Sequence, residues 1–501
     1  MYEGSKGLRK ENSIKNFITT FIPFIIIAIL GFVRVRIYLD GLGEVISSLN
    51  QVFNNIISYL AIAESGIGLF IGQKYYKLLV EEDQKKINSC FKASKVFFNS
   101  LGIFIVIAGM IVSFFLNYLT NNDLDLIYMQ LALFLFLVKN AVDFFMYAPR
   151  VLINSDQKMF KINILINLTR VVEIVTEILL IKLGFNYLVV LIPGIFIRIL
   201  FNLIINNKIY KLYPWLNNKS KFNKDELKGS KNIFAQKVAG LIFYNTDTLI
   251  VSAFLTPAYV IVYTSYNFIT KYLADISFML VSAIQPSLGN IFYLENKDYS
   301  YKAFKKVNTL FLYIASVFTI LTISLIDPFV GLWVGNKYIS TTIVRYLFGL
   351  ILFISISSLT ILSAKDNLGL FKETKVAIMT EAILNLILSL TLVSKFGISG
   401  ILFATAFSRY VSTFWYVPVV VFRSFFNKSS LQYFIQHFIC LLNVYLISFL
   451  LDHLSIFAIS SFLNWFLLAL IYGGFVVAVV SIEFYFLFPE FRSFLKKYKN
   501  K

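Results

Sequence analysis

Apolar runs of 18 or more residues recur along the whole 501-residue chain, and they decide what it can fold into. Each run is long enough to cross a hydrocarbon layer about 30 Å thick as a helix. Fifty-eight per cent of the residues are hydrophobic. A soluble core stops growing at about 250–300 residues, so a water-soluble fold could not hide that much apolar surface. The chain is therefore expected to be an all-α integral membrane protein.

The formal charge is +19, from 46 Lys and Arg against 27 Asp and Glu. In a soluble protein such a surplus would raise nucleic acid as a partner. In a membrane protein it has a simpler source, because Lys and Arg collect in cytoplasmic loops and set helix orientation. No nucleic-acid partner is expected. The first apolar segment is long and lacks a small-residue cleavage site, so it reads as a span, not a cleaved signal. Cys90 and Cys440 are far apart, and His437 and His453 have no second ligand at metal spacing. No phosphate-cradling glycine loop, nucleophile elbow or zinc motif is present. Neither a cofactor, a metal nor a catalytic residue is expected.

Taken in order, spans are predicted at Ile14–Leu39, Glu44–Gln73, Val96–Leu116, Leu124–Tyr147, Ile162–Ile181 and Tyr187–Asn206. The longest polar break follows, Lys208 to Lys237, dense in lysine. Further spans are Ile233–Leu255, Val260–Gly289, Val307–Ile326, Ile343–Leu362, Val376–Val393 and Ile398–Phe422, then Leu431–Leu451 and Phe457–Phe488. That makes about 14 transmembrane helices, with most basic residues on one side and both termini cytoplasmic. Short outer loops leave no room for a catalytic domain.

The two halves resemble each other. Asn154-Ser155-Asp156 with Phe160-Lys161, an apolar span, then Lys182-Leu183-Gly184-Phe185 is echoed by Ser363-Ala364-Lys365 with Phe371-Lys372, a span, then Lys395-Phe396-Gly397-Ile398. Repeats with an even span number run in the same direction, related by a pseudo-twofold axis along the membrane normal. The expected domains are an N-terminal six-helix lobe (1–207), a basic cytoplasmic bridge (208–237), a C-terminal six-helix lobe (238–425), and two extra helices with a basic cytoplasmic tail (426–501). Such a pair of bundles encloses a cavity and permits rocking of one half on the other.

Charged residues inside spans carry the functional signal. Each costs about 2.5–3.5 kcal/mol at a helix centre, so it faces protein or water. Arg170, Arg198 and Arg409 lie near mid-span. Glu173 and Glu177 share a helix face with Arg170. Lys139 with Asp143, and Lys271 with Asp275, are spaced i,i+4, which also suits purely structural ion pairs. Asp247 is deep in the seventh span. Arg34 suits either a cavity or an outer interface where it snorkels. Glu64, in Ala63-Glu64-Ser65-Gly66-Ile67-Gly68, lies among small residues that suit close helix packing. Guanidinium is always charged and binds phosphate bidentately, so the cationic set fits an anion crossing a cavity.

Four stretches carry a family resemblance. They are Tyr38-Leu39-Asp40-Gly41-Leu42-Gly43 leading to Glu64-Ser65-Gly66-Ile67-Gly68-Leu69; Asn245-Thr246-Asp247-Thr248-Leu249-Ile250 with Phe254-Leu255 and Val262-Tyr263-Thr264-Ser265; Ser282-Ala283-Ile284-Gln285-Pro286; and Lys395-Phe396-Gly397-Ile398-Ser399-Gly400. In order and spacing the chain resembles the polysaccharide-transporter (oligosaccharide flippase, Wzx-like) family of the multidrug/oligosaccharidyl-lipid/polysaccharide exporter superfamily. Thr256-Pro257 stands where that family usually has Gly-Pro.

The resemblance implies two six-helix bundles in a V plus two helices. It implies translocation of polyprenyl-diphosphate-linked oligosaccharide repeat units across the cytoplasmic (inner) membrane by alternating access, for cell-surface polysaccharide export. The partners would be the lipid-linked glycan, the bilayer, and a polysaccharide polymerase and glycosyltransferases. On that reading Arg170, Arg198, Lys271, Arg409, Lys139 and Arg34 would line the diphosphate and sugar path. Glu173, Glu177, Asp247, Asp143 and Asp275 would be the residues for ion coupling. Two alternatives stay open: an ion-coupled antiporter of small organic cations with a related fold, and a membrane polysaccharide polymerase or ligase.

Overall fold

A computed structural model describes residues 2–217, 220, 246–454 and 459–493, with the side chains of residues 2–14, 17, 62–67, 69 and 77 outside the description. Most of the bridge expected at Lys208–Lys237, the start of the seventh span and the Glu64 side chain therefore lie outside the described residues. Within them the chain is all-helical, with no strand.

The helices in order are α1 (Tyr2–Leu60), α2 (Ile62–Val80), α3 (Gln84–Ser113), α4 (Leu116–Leu119), α5 (Leu126–Phe145), α6 (Ala148–Ser155), α7 (Phe160–Lys182) and α8 (Tyr187–Leu212). Then come α9 (Thr246–Phe254), α10 (Pro257–Leu294), α11 (Lys297–Trp333), α12 (Thr342–Ser357), α13 (Leu359–Asn367), α14 (Phe371–Val411), α15 (Thr413–Val421), α16 (Leu431–Asp452) and α17 (Phe462–Leu487). Ten helical ranges among the described residues are long and apolar enough to cross a membrane, which makes this a multi-pass membrane protein. The ten do not translate directly into the expected 14 spans. The ranges Ile18–Leu60 and Phe371–Phe426 each run through a glycine turn, and α7 is passed over because it carries too many charges.

The turns fall where the sequence places them. Gly43 (φ 81°, ψ 175°) breaks α1, and Gly397 (φ 55°, ψ −136°) breaks α14. Both backbones are in regions that a side chain would strain. Polar caps begin several helices: the Asp125 carboxylate accepts from Tyr128 N at 3.1 Å, and Asn186 accepts from Val189 N at 3.1 Å. Removing such a cap costs about 1 kcal/mol. Asp125→Ala is expected to lower the melting temperature of the detergent-solubilised protein without changing its helix content by circular dichroism.

Other boundaries differ from the expectation. The second span is interrupted at Ala61, between α1 and α2. The tenth is interrupted at Ser358, and the twelfth at Ser412 (φ −112°, ψ −91°). The segment expected as the inner loop after Tyr147 contains the buried helix α6. These breaks sit inside unbroken apolar runs, where hydrophobicity carries no stop signal.

The chain forms two compact units, Met1–Val260 and Ile261–Lys501. In the first, α7 packs against α1 and α8, and α5 against α3 and α8. Phe53, Phe91, Phe98, Leu133 and Leu191 fill its core. In the second, α11 is enclosed by α12, α16 and α17 around Phe311, Phe353, Val444, Val476 and Val480. The two additional helices thus contribute to the core of the second unit. Outward faces are apolar, as with Ile103, Ile107 and Ile111 on α3.

Polar contacts at helix ends join residues that the charge bias assigns to the same membrane face. On the lysine-rich face of the first unit, Asn16 Nδ2 donates to Gln157 O at 3.1 Å, and Asn88 Nδ2 donates to Trp215 O at 3.2 Å. At its other face Asn121 N donates to Ser252 O at 3.0 Å. In the second unit Lys305 pairs with Glu490 at 2.7 Å on the lysine-rich face. At the opposite face Arg345 bridges Asp327, at 3.1 Å, and Asp452.

Candidate functional site

The first unit gathers most of the mid-span charges into one network. Lys139, on α5, is 3% exposed at its side chain, and its Nζ lies 2.8 Å from Glu173 Oε1 and 3.2 Å from Glu177 Oε1, both on α7. Arg198, on α8, takes Glu173 as a fork: Nε donates to Oε2 at 3.0 Å and Nη2 to Oε1 at 3.1 Å. Its Nη1 donates to Asp143 Oδ2 at 3.1 Å and to Asn140 Oδ1 at 2.9 Å. Arg34, on α1, approaches Glu177 Oε2 at 2.7 Å and lies 4.9 Å over the Tyr38 ring, whose hydroxyl donates to the same carboxylate at 2.9 Å. Arg150, on α6, stands 3.9 Å from Asp143 and bonds Asn202, which itself donates to Asp143 at 2.9 Å.

The sum explains how such a cluster survives at membrane depth. Four cations, Arg34, Lys139, Arg198 and, at 3.9 Å from Asp143, Arg150, face three carboxylates, Glu173, Glu177 and Asp143. Each charge has a cross-helix partner, so none faces hydrocarbon alone. Gly194 makes room for it, because a Cβ there would meet Lys139 Cδ at 2.7 Å. The partners are not the ones the spacing suggested. Lys139 pairs with Glu173 and Glu177 and not with its i+4 neighbour Asp143, which pairs with Arg198. Arg34 does not snorkel away: it reaches inward to Glu177, while Arg36 pairs with exposed Asp40 at 2.6 Å.

Arg170 stays out of the network. It is exposed, and among the described residues no ion pair or hydrogen bond reaches it. Its position on α7 is nonetheless not the lipid-facing one. Ile164, Leu168, Val175 and Leu179 form an exposed apolar stripe. At about 100° per residue Arg170 sits about 200° round from Leu168, on the side that carries Glu173 and Glu177. Asp247, on α9, lies beside Tyr59 in the same unit.

In the second unit Lys271 is exposed on α10 and Asp275 is half-buried one turn later, and no ion pair closes between them among the described residues. Arg409 Nε donates to Glu381 Oε1 at 3.2 Å, and its Nη1 donates to Ser355 Oγ at 2.9 Å. The Thr413 hydroxyl donates to the other Glu381 oxygen. Glu381 is a residue that sequence reasoning passed over. A carboxylate within an apolar span was the signal available, and its nearness to the predicted span end masked it.

No protein-family profile and no curated protein sequence matches this chain. Solved structures do. The chain is similar to the lipid II flippase MurJ in an inward closed conformation, with TM-score 0.67 and 16% identity over 93% of this chain and 99% of that one. It is similar to an inward-facing multidrug resistance MATE family transporter of the MOP superfamily, with TM-score 0.61 and 13% identity over 86% of this chain and 96% of that one. A third similar structure is a MOP superfamily transporter from Pyrococcus furiosus described as having a binding pocket of reverse polarity, with TM-score 0.54 and 14% identity over 82% and 97% of the two chains. Identities this low speak for the fold. The chain has the fold of the MOP-superfamily membrane transporters.

Proposed function

We propose that this protein is an alternating-access flippase for polyprenyl-diphosphate-linked oligosaccharide repeat units, moving them from the inner to the outer leaflet of the cell membrane for surface polysaccharide export. One observation carries the reading: among the described mid-span charges, the exposed ones with no ion pair are cationic. Arg170 and Lys271 are exposed, while the deep carboxylates Glu173, Glu177 and Glu381 are held by cations. A diphosphate crossing an apolar layer is attracted by such groups, whereas an organic cation is repelled. The similarity to a lipid II flippase over nearly the full length of both chains supports a lipid-linked cargo.

In this reading access alternates between the two membrane faces, with both termini cytoplasmic. Arg170 in the first unit, and Lys271 and Arg409 in the second, are each candidates to meet the diphosphate along its path, and the polyprenyl tail stays in lipid. Lys139, Arg198 and Arg34 support the first unit from within. Ion coupling, where it operates, falls to Asp247 or Asp275. The polymerase and glycosyltransferases would act on either side of the flipping step.

A second reading, an ion-coupled antiporter of organic cations, is favoured by the similarity to MATE transporters. One strain separates the two. On loss of this protein, lipid-linked repeat units are expected to accumulate on the inner leaflet while resistance to cationic dyes stays unchanged. Normal polysaccharide export together with dye sensitivity would favour the antiporter.

A further inference from the structure

The two units carry the same device in unequal form. Arg198 and Arg409 lie 211 residues apart (409 − 198), the spacing of the repeat, each on the helix that follows a glycine turn. Each pairs with a glutamate on the preceding helix, 25 residues back in the first unit and 28 in the second. The surroundings differ. Glu173 is shared between Arg198 and Lys139, and Arg198 also holds Asp143. Glu381 has Arg409 as its only cation among the described residues, with the Thr413 hydroxyl on its other oxygen.

We infer that Glu381 is an internal stand-in for the substrate's phosphate: it holds the Arg409 guanidinium in the empty transporter and yields it when a lipid diphosphate arrives. This rests on the flippase reading above. Among the described contacts Arg409 meets Glu381 through a single hydrogen bond, Nε to Oε1, and a phosphate oxygen can take the place of that one carboxylate oxygen. A diphosphate carries more negative charge than a carboxylate and wins the exchange. The Thr413 hydroxyl keeps hold of the displaced Glu381. Arg409 lies 12 residues past Gly397, about 18 Å along the helix and so at mid-membrane depth. Its side chain is 18% exposed and that of Glu381 12%, so the pair is largely covered but not sealed. In the first unit Arg198 could make the same exchange only by giving up two carboxylates, Glu173 and Asp143, at once. Arg198 is therefore a brace and Arg409 the exchanging residue, with Glu381 positioning it.

The experiment is calorimetric titration of geranylgeranyl diphosphate into the full-length protein in nanodiscs. Glu381→Gln removes the competitor and is expected to tighten binding by roughly tenfold, the worth of one charge-assisted hydrogen bond. Export in cells is expected to fall, because the cargo is no longer displaced on release. Glu381→Asp is expected to restore part of the export. Arg409→Gln and the double variant with Glu381→Gln are both expected to bind weakly. Unchanged or weaker binding by folded Glu381→Gln overturns the exchange. If Arg170→Gln still weakens binding in that case, the flippase reading stands without it. Absence of any binding by the wild-type protein removes both.

Discussion

Replacing Lys139 by methionine is expected to cost the protein about 3–5 kcal/mol, the usual penalty for breaking a buried ion pair from one side. Among the described residues its ammonium group is the only cation shared by Glu173 and Glu177, and its side chain is 3% exposed. Without it, among the described residues Glu177 keeps only Arg34, and Glu173 keeps only Arg198, which it shares with Asp143. Most of the protein should fail to reach a monodisperse, detergent-stable state in fluorescence-detected size exclusion. Lys139→Met combined with Glu173→Gln should recover much of that loss, because Arg34 keeps Glu177 and Arg198 keeps Asp143. A single variant that folds at the wild-type level would show that the network is not what holds the first unit together.

The opposite pattern is expected at Arg170. Exposed and without a described partner, it contributes little to stability, so Arg170→Ala should accumulate at the normal level. Export should fall by roughly 10- to 150-fold, which corresponds to losing one charged hydrogen bond worth about 1.5–3 kcal/mol. Arg170→Lys should restore part of it, since the charge returns but the bidentate fork does not. Measured at matched protein level, wild-type export by Arg170→Ala would take this residue out of the cargo path.

The contrast between these two residues marks what a linear reading can reach. Apolar length and the glycines at 43, 184 and 397 announced the hairpins, because span length and left-handed turns are local properties. Lysine bias announced which ends share a face, and the Arg345–Asp327 and Lys305–Glu490 pairs agree with it. Pairing inside the bundle was not legible. The i,i+4 spacing of Lys139 and Asp143 describes one helix surface, but the cross-helix geometry gives Lys139 to Glu173 and Glu177 instead. The shared face of Arg170, Glu173 and Glu177 was legible, and yet the first is exposed and the other two are buried, since depth of burial depends on where neighbouring helices end. Glu381 escaped for a similar reason: nothing local says that Arg409 would return to it from 28 residues on.

The charge network also bears on how the chain enters the membrane during synthesis. Helix α7 carries three mid-span charges, Arg170, Glu173 and Glu177, each costly to insert into lipid. Its carboxylates become tolerable only beside Lys139, made earlier on α5, and Arg198, made later on α8. Helix α7 is therefore expected to stay beside the insertion machinery until α8 has emerged. On that order α5, α7 and α8 would enter lipid as a group and not helix by helix.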